Sequence, residues 1–146
     1  RRTVAKHGEL AVLQRLAFAA IFWSVTLGIA AADPVGTYSV EGVSAGTGDR
    51  YSGSVEVSRS GDRYIVEWTL DGAARSGVAM GGAFSQGSFV IGPAHQDDLM
   101  LAIGFSDQSG FGTATMFLQP TGSYEGFVVH SDATLAGQET WTVTAR

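Results

Sequence analysis

From position 37 to position 144 apolar and polar residues alternate with a period of two, interrupted at short intervals by Gly, Asp and Ser. A period of two sends successive side chains to opposite faces of an extended chain, so the pattern predicts strands with one buried face. Strands are expected over 37–43, 51–58 and 64–70. Their buried faces carry Tyr38 and Val40, then Tyr51, Gly53, Val55 and Val57, then Tyr64, Val66, Trp68 and Leu70. Further strands are predicted over 74–80, within 84–91, and over 99–105, 111–119, 123–130 and 138–144. Asp71-Gly72 is a strong hairpin signal and Ser60-Gly61-Asp62 a turn, whereas Gly81-Gly82 reads as a flexible break. No stretch of this region sustains a helical period.

Eight or nine short antiparallel strands in sequential hairpins make an all-β, up-and-down meander. Two architectures suit it: a closed barrel or a two-sheet sandwich. Closure removes exposed strand edges, and this region has no Lys to protect them. The barrel is therefore the expected fold and the sandwich the alternative. With eight strands its interior is filled by side chains or holds one small ligand.

Upstream the pattern changes. Basic residues (Arg1, Arg2, Lys6, Arg15) precede an apolar run from Leu16 to Ile29 and then Ala30-Ala31-Ala32 before Asp33. Basic, apolar and small, in that order, is the layout of a helical secretory signal peptide cut after Ala32. The chain thus divides into residues 1–32, a signal peptide, and residues 33–146, one exported domain, periplasmic or extracellular. The Leu16–Ala32 stretch is at the short edge of what spans a bilayer, so an uncleaved membrane anchor is the alternative; after cleavage no stable span remains. Arg1-Arg2-Thr3-Val4-Ala5-Lys6 also has the form of a twin-arginine signal, which leaves the export route open.

The division sharpens the charge. Taking the leader's +3 from the −5 of the whole chain leaves −8 on residues 33–146. So acidic a surface repels phosphate backbones and anionic lipid head groups, which argues against nucleic-acid partners. Cysteine is absent, excluding disulfides, thiolate nucleophiles and Cys-bound metals.

The spacing of Gly, Tyr and Trp carries a resemblance. It runs Gly-x-Tyr-x-Val-x-Gly over 36–42, Tyr-x-Gly-x-Val over 51–55 and Gly-Asp-x-Tyr-x-Val-x-Trp over 61–68. Gly-x-Tyr-x-Gly over 122–126 and Gly-x-Glu-x-Trp over 137–141 follow. In this the chain resembles small exported bacterial β-barrel proteins of unknown function, some loosely labelled fibronectin-binding. More remotely the layout is similar to avidin- and lipocalin-type (calycin-like) barrels. The resemblance implies an exported binding protein. It departs from the avidin pattern in having two Trp after cleavage and no Asn, so a biotin site is not implied.

Candidate chemistry is sparse. His95, Asp97 and Asp98 form the densest polar cluster; they are weak metal candidates, with Asp107 as a further donor, or simply a polar turn. His130 and Asp132 have the types of a base and its orienting carboxylate, but no nucleophile elbow accompanies them. In a closed meander the last strand lies beside the first, which brings Trp68 and Trp141 into one half of the barrel. Glu139 shares the inward face of Trp141, needs a partner there, and has Arg50, Arg63 or Arg75 to supply one. The sequence thus points to a non-enzymatic protein without a cofactor. Its expected partner is a small apolar or aromatic ligand at a barrel mouth built from Tyr64, Trp68, Trp141 and Glu139. The alternative is an envelope or extracellular interaction module with a filled core.

Overall fold

The structure, a computed structural model, describes residues 32–146; all of the expected leader but its last residue lies outside them. Nine strands form among the described residues: β1 (Gly36–Val43), β2 (Arg50–Ser60), β3 (Arg63–Leu70), β4 (Ala73–Ser85), β5 (Ser88–Gly92), β6 (Met100–Asp107), β7 (Gly110–Leu118), β8 (Tyr124–His130) and β9 (Gly137–Ala145). Consecutive strands pair antiparallel apart from β5 and β6, β1 pairs with β9, and β4 pairs with both β3 and β6. The pairings close a ring of eight strands, β1-β2-β3-β4-β6-β7-β8-β9, which decides for the barrel over the sandwich. The ninth strand, β5, hangs outside the ring on the end of β4.

Sequence and structure part at β4. Gly81-Gly82 does not break the chain but continues the strand; the strand expected within 84–91 is β5, and the residues before it complete a hairpin with the end of β4. Phe84 lies in the last stretch of β4, Gln86-Gly87 turns with φ of 50° and 81°, and Phe89 lies at the start of β5. Two successive positive φ values give the turn the twist a two-residue hairpin needs, here as at Asp71-Gly72 (46° and 84°). Glycine at 81 has a packing reason: a Cβ there would overlap the carboxylate of Asp98.

The interior is filled. Tyr38, Val40, Val55, Val57, Val66, Leu101 and Met116 are almost wholly buried, and rings stack along the barrel. Tyr124 meets Tyr38 edge-on at 5.8 Å, Tyr38 lies 6.0 Å from Trp141, Trp141 is 5.7 Å from Trp68, and Trp68 is 5.9 Å from Phe105. Edge-to-face contacts at these distances add to the area each ring buries.

The outer wall is two-sided. On β1, β2, β3 and β9 the exposed positions include Ser39, Glu41, Ser54, Glu56, Glu67, Thr140 and Thr142. On β4 and β8 they include Val78, Met80, Phe127 and Val129. A transmembrane barrel needs an apolar band all the way round. The Ser, Thr and Glu half of this wall does not provide one.

Candidate functional site

The two ends of the barrel differ. One is stoppered by residues 32–35 and by the loop between β5 and β6. There three inward tyrosines donate their hydroxyls to the stopper: Tyr38 to the Pro34 carbonyl (2.6 Å), Tyr124 to the Ala32 carbonyl (3.1 Å), and Tyr64 to the His95 carbonyl (2.6 Å) and Asp98 Oδ2 (2.7 Å). The Asp98 carboxylate also accepts from the His95 N–H and is buried. Asp33 ties the segment to β2 through Arg59 at 3.0 Å.

At the other, open end the inward positions turn polar. Tyr51 lies at the start of β2, Arg75 near the start of β4, Asp107 ends β6, His130 ends β8 and Glu139 lies near the start of β9. The up-and-down path therefore delivers one polar side chain from each of five strands to the same rim. Glu139 is the centre. Its side chain has no exposure, and four donors surround it. The Tyr51 hydroxyl (2.8 Å) and Arg75 Nη1 (3.3 Å) reach Oε1, while Trp141 Nε1 (2.8 Å) and Trp68 Nε1 (3.3 Å) reach Oε2. A buried carboxylate requires such partners, since its desolvation costs several kcal/mol. Arg75, of the three candidate arginines, is the one that pairs with it.

The chain of contacts continues outward. Arg75 lies 4.4 Å over the Phe105 ring and donates through Nε to Asp107 Oδ2 at 3.4 Å. His130 Nε2 is 3.2 Å from both Asp107 oxygens, and its Nδ1 is 3.0 Å from Asp132 Oδ1. Burial pushes the Asp107 carboxyl up, but hydrogen bonds from the Ser109 hydroxyl and N–H and from His130, with the His130 charge, outweigh it. They hold Asp107 well below the usual carboxylate range. Burial, then the Glu139 charge and its hydrogen bond, push the Tyr51 hydroxyl above the ordinary tyrosine range.

Arg75 also forms the shared wall of two clefts, each of about 230 Å³. One opens between the β1–β2 and β8–β9 loops, with Val43, Tyr51, Val128 and His130 in its lining. The other opens between the β3–β4 and β6–β7 turns and is lined by Leu70, Ala74, Asp107 and Ser109.

Of the four residues expected to form a binding mouth, the structure brings Trp68, Trp141 and Glu139 together and leaves Tyr64 at the stoppered end. Both Trp rings are enclosed rather than bordering a cleft. Of the weak metal candidates, exposed His95 and Asp97 form a 3.4 Å pair, and Asp98 turns inward to Tyr64. No three metal-ligating side chains converge among the described residues. Nothing in the alternation singles out Tyr51 or Ser109 for the site. One signal was available for Tyr51: it lies across from Gly42, where a Cβ would run into the Tyr51 ring. Glycine there lets the ring fold over the strand to reach Glu139.

Ser109, His130 and Asp132 invite comparison with a hydrolytic triad, for Ser109 Oγ is 3.3 Å from His130 Nε2. The hydroxyl, however, donates to Asp107 at 2.7 Å, and the N–H groups of Ser109 and Gly110 donate to the same oxygen. Asp107 thus holds the donors a hydrolase would turn toward an oxyanion. A ring nitrogen facing both carboxylate oxygens is itself a donor, not a base for Ser109.

No family of known sequences matches the chain, and no curated protein does. Among solved structures it is similar to a de novo designed fluorescence-activating β-barrel, at 15% identity and a TM-score of 0.48, over 75% of this chain and 93% of that one. It is also similar to two redesigned barrels bound to DFHBI. One is mFAP1, at 15% identity and a TM-score of 0.48, over 74% of this chain and 93% of that one. The other is mFAP0, at 17% and 0.47, over 74% and 96%.

Proposed function

We propose that this is an exported, non-enzymatic barrel that binds a small ligand at its open rim, on the wall formed by Arg75. The export part rests on the basic, apolar and small layout of residues 1–32. The binding part rests on one observation: the polar chain Glu139–Arg75–Asp107–His130 runs from the sealed interior to two clefts at the end that, among the described residues, lacks a stopper. An apolar filling of that rim would cost less desolvation, so charges kept at a cleft are what a recognition site would require. The ligand is small, because each cleft is, and it carries an acceptor. Two of the five Arg75 N–H bonds go to the two carboxylates, and the guanidinium edge borders both clefts. Val43, Val128 and Leu70 supply apolar contact.

Native mass spectrometry of the protein recovered from an exporting cell reports any co-purified ligand. Tryptophan fluorescence then gives affinity, since both indoles donate to Glu139. Binding is expected to alter the emission and to weaken at least tenfold in Arg75→Gln, about 1.4 kcal/mol or more. An unchanged affinity in that variant would refute the assignment. The second reading, an interaction module without a small ligand, is favoured by the filled interior around Trp68 and Trp141. It is the one left standing if no ligand co-purifies and no candidate shifts the emission.

A further inference from the structure

The hairpin of β4 and β5 does not belong to the barrel ring. Beyond Gly82, β4 has no further strand partner on its β6 side among the described residues, because the β6 ladder ends at Gly82↔Met100. β5 pairs with β4 and ends the sheet. The hairpin is thus a two-stranded ribbon projecting past the rim, and such a ribbon is marginal alone in water. Its free edge has a defined pattern. Ser85 and Ser88 flank a two-residue turn and so form a hydrogen-bonded pair, which makes Phe84↔Phe89 unbonded, Ala83↔Val90 bonded and Gly82↔Ile91 unbonded. The N–H and C=O groups of Phe89 and Ile91 therefore point outward from the edge.

The ribbon is also unusually apolar for an exposed edge. Phe84 is 70% exposed, Val90 51% and Ile91 50%, and Phe84 and Phe89 contact each other edge-on at 5.3 Å. No Asp, Glu, Lys or Arg occurs from Val78 to Gln96, in a chain whose remaining surface is acidic. Native edges are normally blunted by charge, Pro or a bulge; this one is not.

We propose that β5 pairs antiparallel with β5 of a second copy of this chain, joining two ribbons into a four-stranded sheet across a two-fold axis at Val90. Phe89 of each copy then bonds Ile91 of the other, and the Phe84, Phe89 and Ile91 faces become continuous. A copy is the fitting occupant for two reasons. Two chains of like net charge repel least through the long uncharged segment that each carries. The edge is also self-complementary: the outward N–H and C=O groups of Phe89 and Ile91 meet the same groups of a copy turned about a two-fold axis at Val90.

The chain has no cysteine, so a single introduced thiol reports unambiguously. In the two-fold pairing Val90 faces Val90 as an unbonded pair with Cα atoms about 4.5 Å apart, within disulfide range. The full chain bearing Val90→Cys, in mild detergent with diamide as the two-electron oxidant, is expected to yield at least about tenfold more covalent dimer than the same chain bearing Ser39→Cys on the polar wall. Native mass spectrometry of the unsubstituted chain at about 10 μM should show dimers, and Val90→Lys should return them to monomers with unchanged tryptophan emission. Equal cross-linking at positions 39 and 90, or monomers throughout, would overturn the proposal. So would uptake of the monomer by phosphatidylcholine vesicles without dimer, if Val90→Lys abolishes that uptake, which would make the ribbon a lipid contact instead.

Discussion

Replacing Arg75 by Met keeps most of the side-chain stem over Phe105 but removes the cation that, among the described residues, pairs with Glu139. The carboxylate then has no exposure and three neutral donors, Tyr51, Trp68 and Trp141. Breaking a buried pair from one side typically costs about 3–5 kcal/mol, because a buried charge is left uncompensated. The Arg75 contacts, at 3.3 and 3.4 Å, are long for charge-assisted bonds, and its side chain is 15% exposed. Both place the loss at the lower end, about 3 kcal/mol. Glu139→Gln removes the charge but turns an amide donor toward groups that are themselves donors, costing about 2 kcal/mol. If the two side chains act as one unit, the double variant loses about 3 kcal/mol instead of the sum, a coupling near 2 kcal/mol. Urea unfolding followed by tryptophan fluorescence measures all four corners of the cycle. Additivity within about 0.5 kcal/mol would refute the claim that Arg75 is there to neutralise Glu139.

Three further outcomes follow from the same geometry. Asp107 is held below the usual carboxylate range, so the stability it contributes is fully present above its unfolded pKa of about 4 and is lost as pH falls through the lower folded value. In urea midpoints taken from pH 6 down to 2, Asp107→Asn should flatten the acid limb, and an unchanged limb would count against the cluster. The chain has four tyrosines, and burial pushes all of them up, Tyr38 to about 12. Their stabilising contribution is therefore complete below about pH 10 and lost as pH rises through the folded values, so absorbance at 295 nm should stay flat near pH 10 and rise only with unfolding. Gly42→Ala should push the Tyr51 ring off β1, lowering stability by roughly 1–3 kcal/mol, with a changed indole emission as Glu139 loses that donor. A variant as stable as the parent, with its emission unchanged, would show that the ring has another place to go.

How much was legible in the sequence depended on how local the signal is. Alternation over 64–70 fixed which face of β3 is buried, because register and face are the same information in a strand. Closure brought β9 to β1 and so Trp141 to Trp68, which topology alone allowed. Gly81-Gly82 misled because glycine signals both a break and a close approach, and only the distant Asp98 tells which one applies. Asp107, His130 and Ser109 stayed invisible as a unit. They meet through the barrel's stagger, which no spacing along the chain encodes. Asp98 looked like part of a surface cluster with His95 and Asp97, yet neighbouring positions in a loop point in different directions, and this one serves Tyr64.

The β1–β9 seam has a consequence for the order of assembly. Val40 sits opposite Trp141, about a hundred positions away, and contacts that distant form slowly because a long loop must close first. Glu139 and Trp141 both lie on β9, the last of these strands to be synthesised, while Trp68 and Arg75 lie on hairpins that can form early. The rim cluster therefore cannot exist in a half-built barrel. Trp141 can reach Glu139 within β9, but the Trp68 indole becomes hydrogen-bonded to it only when the ring shuts, so Trp68 emission in a refolding experiment times the closing of the ring rather than the formation of its hairpins.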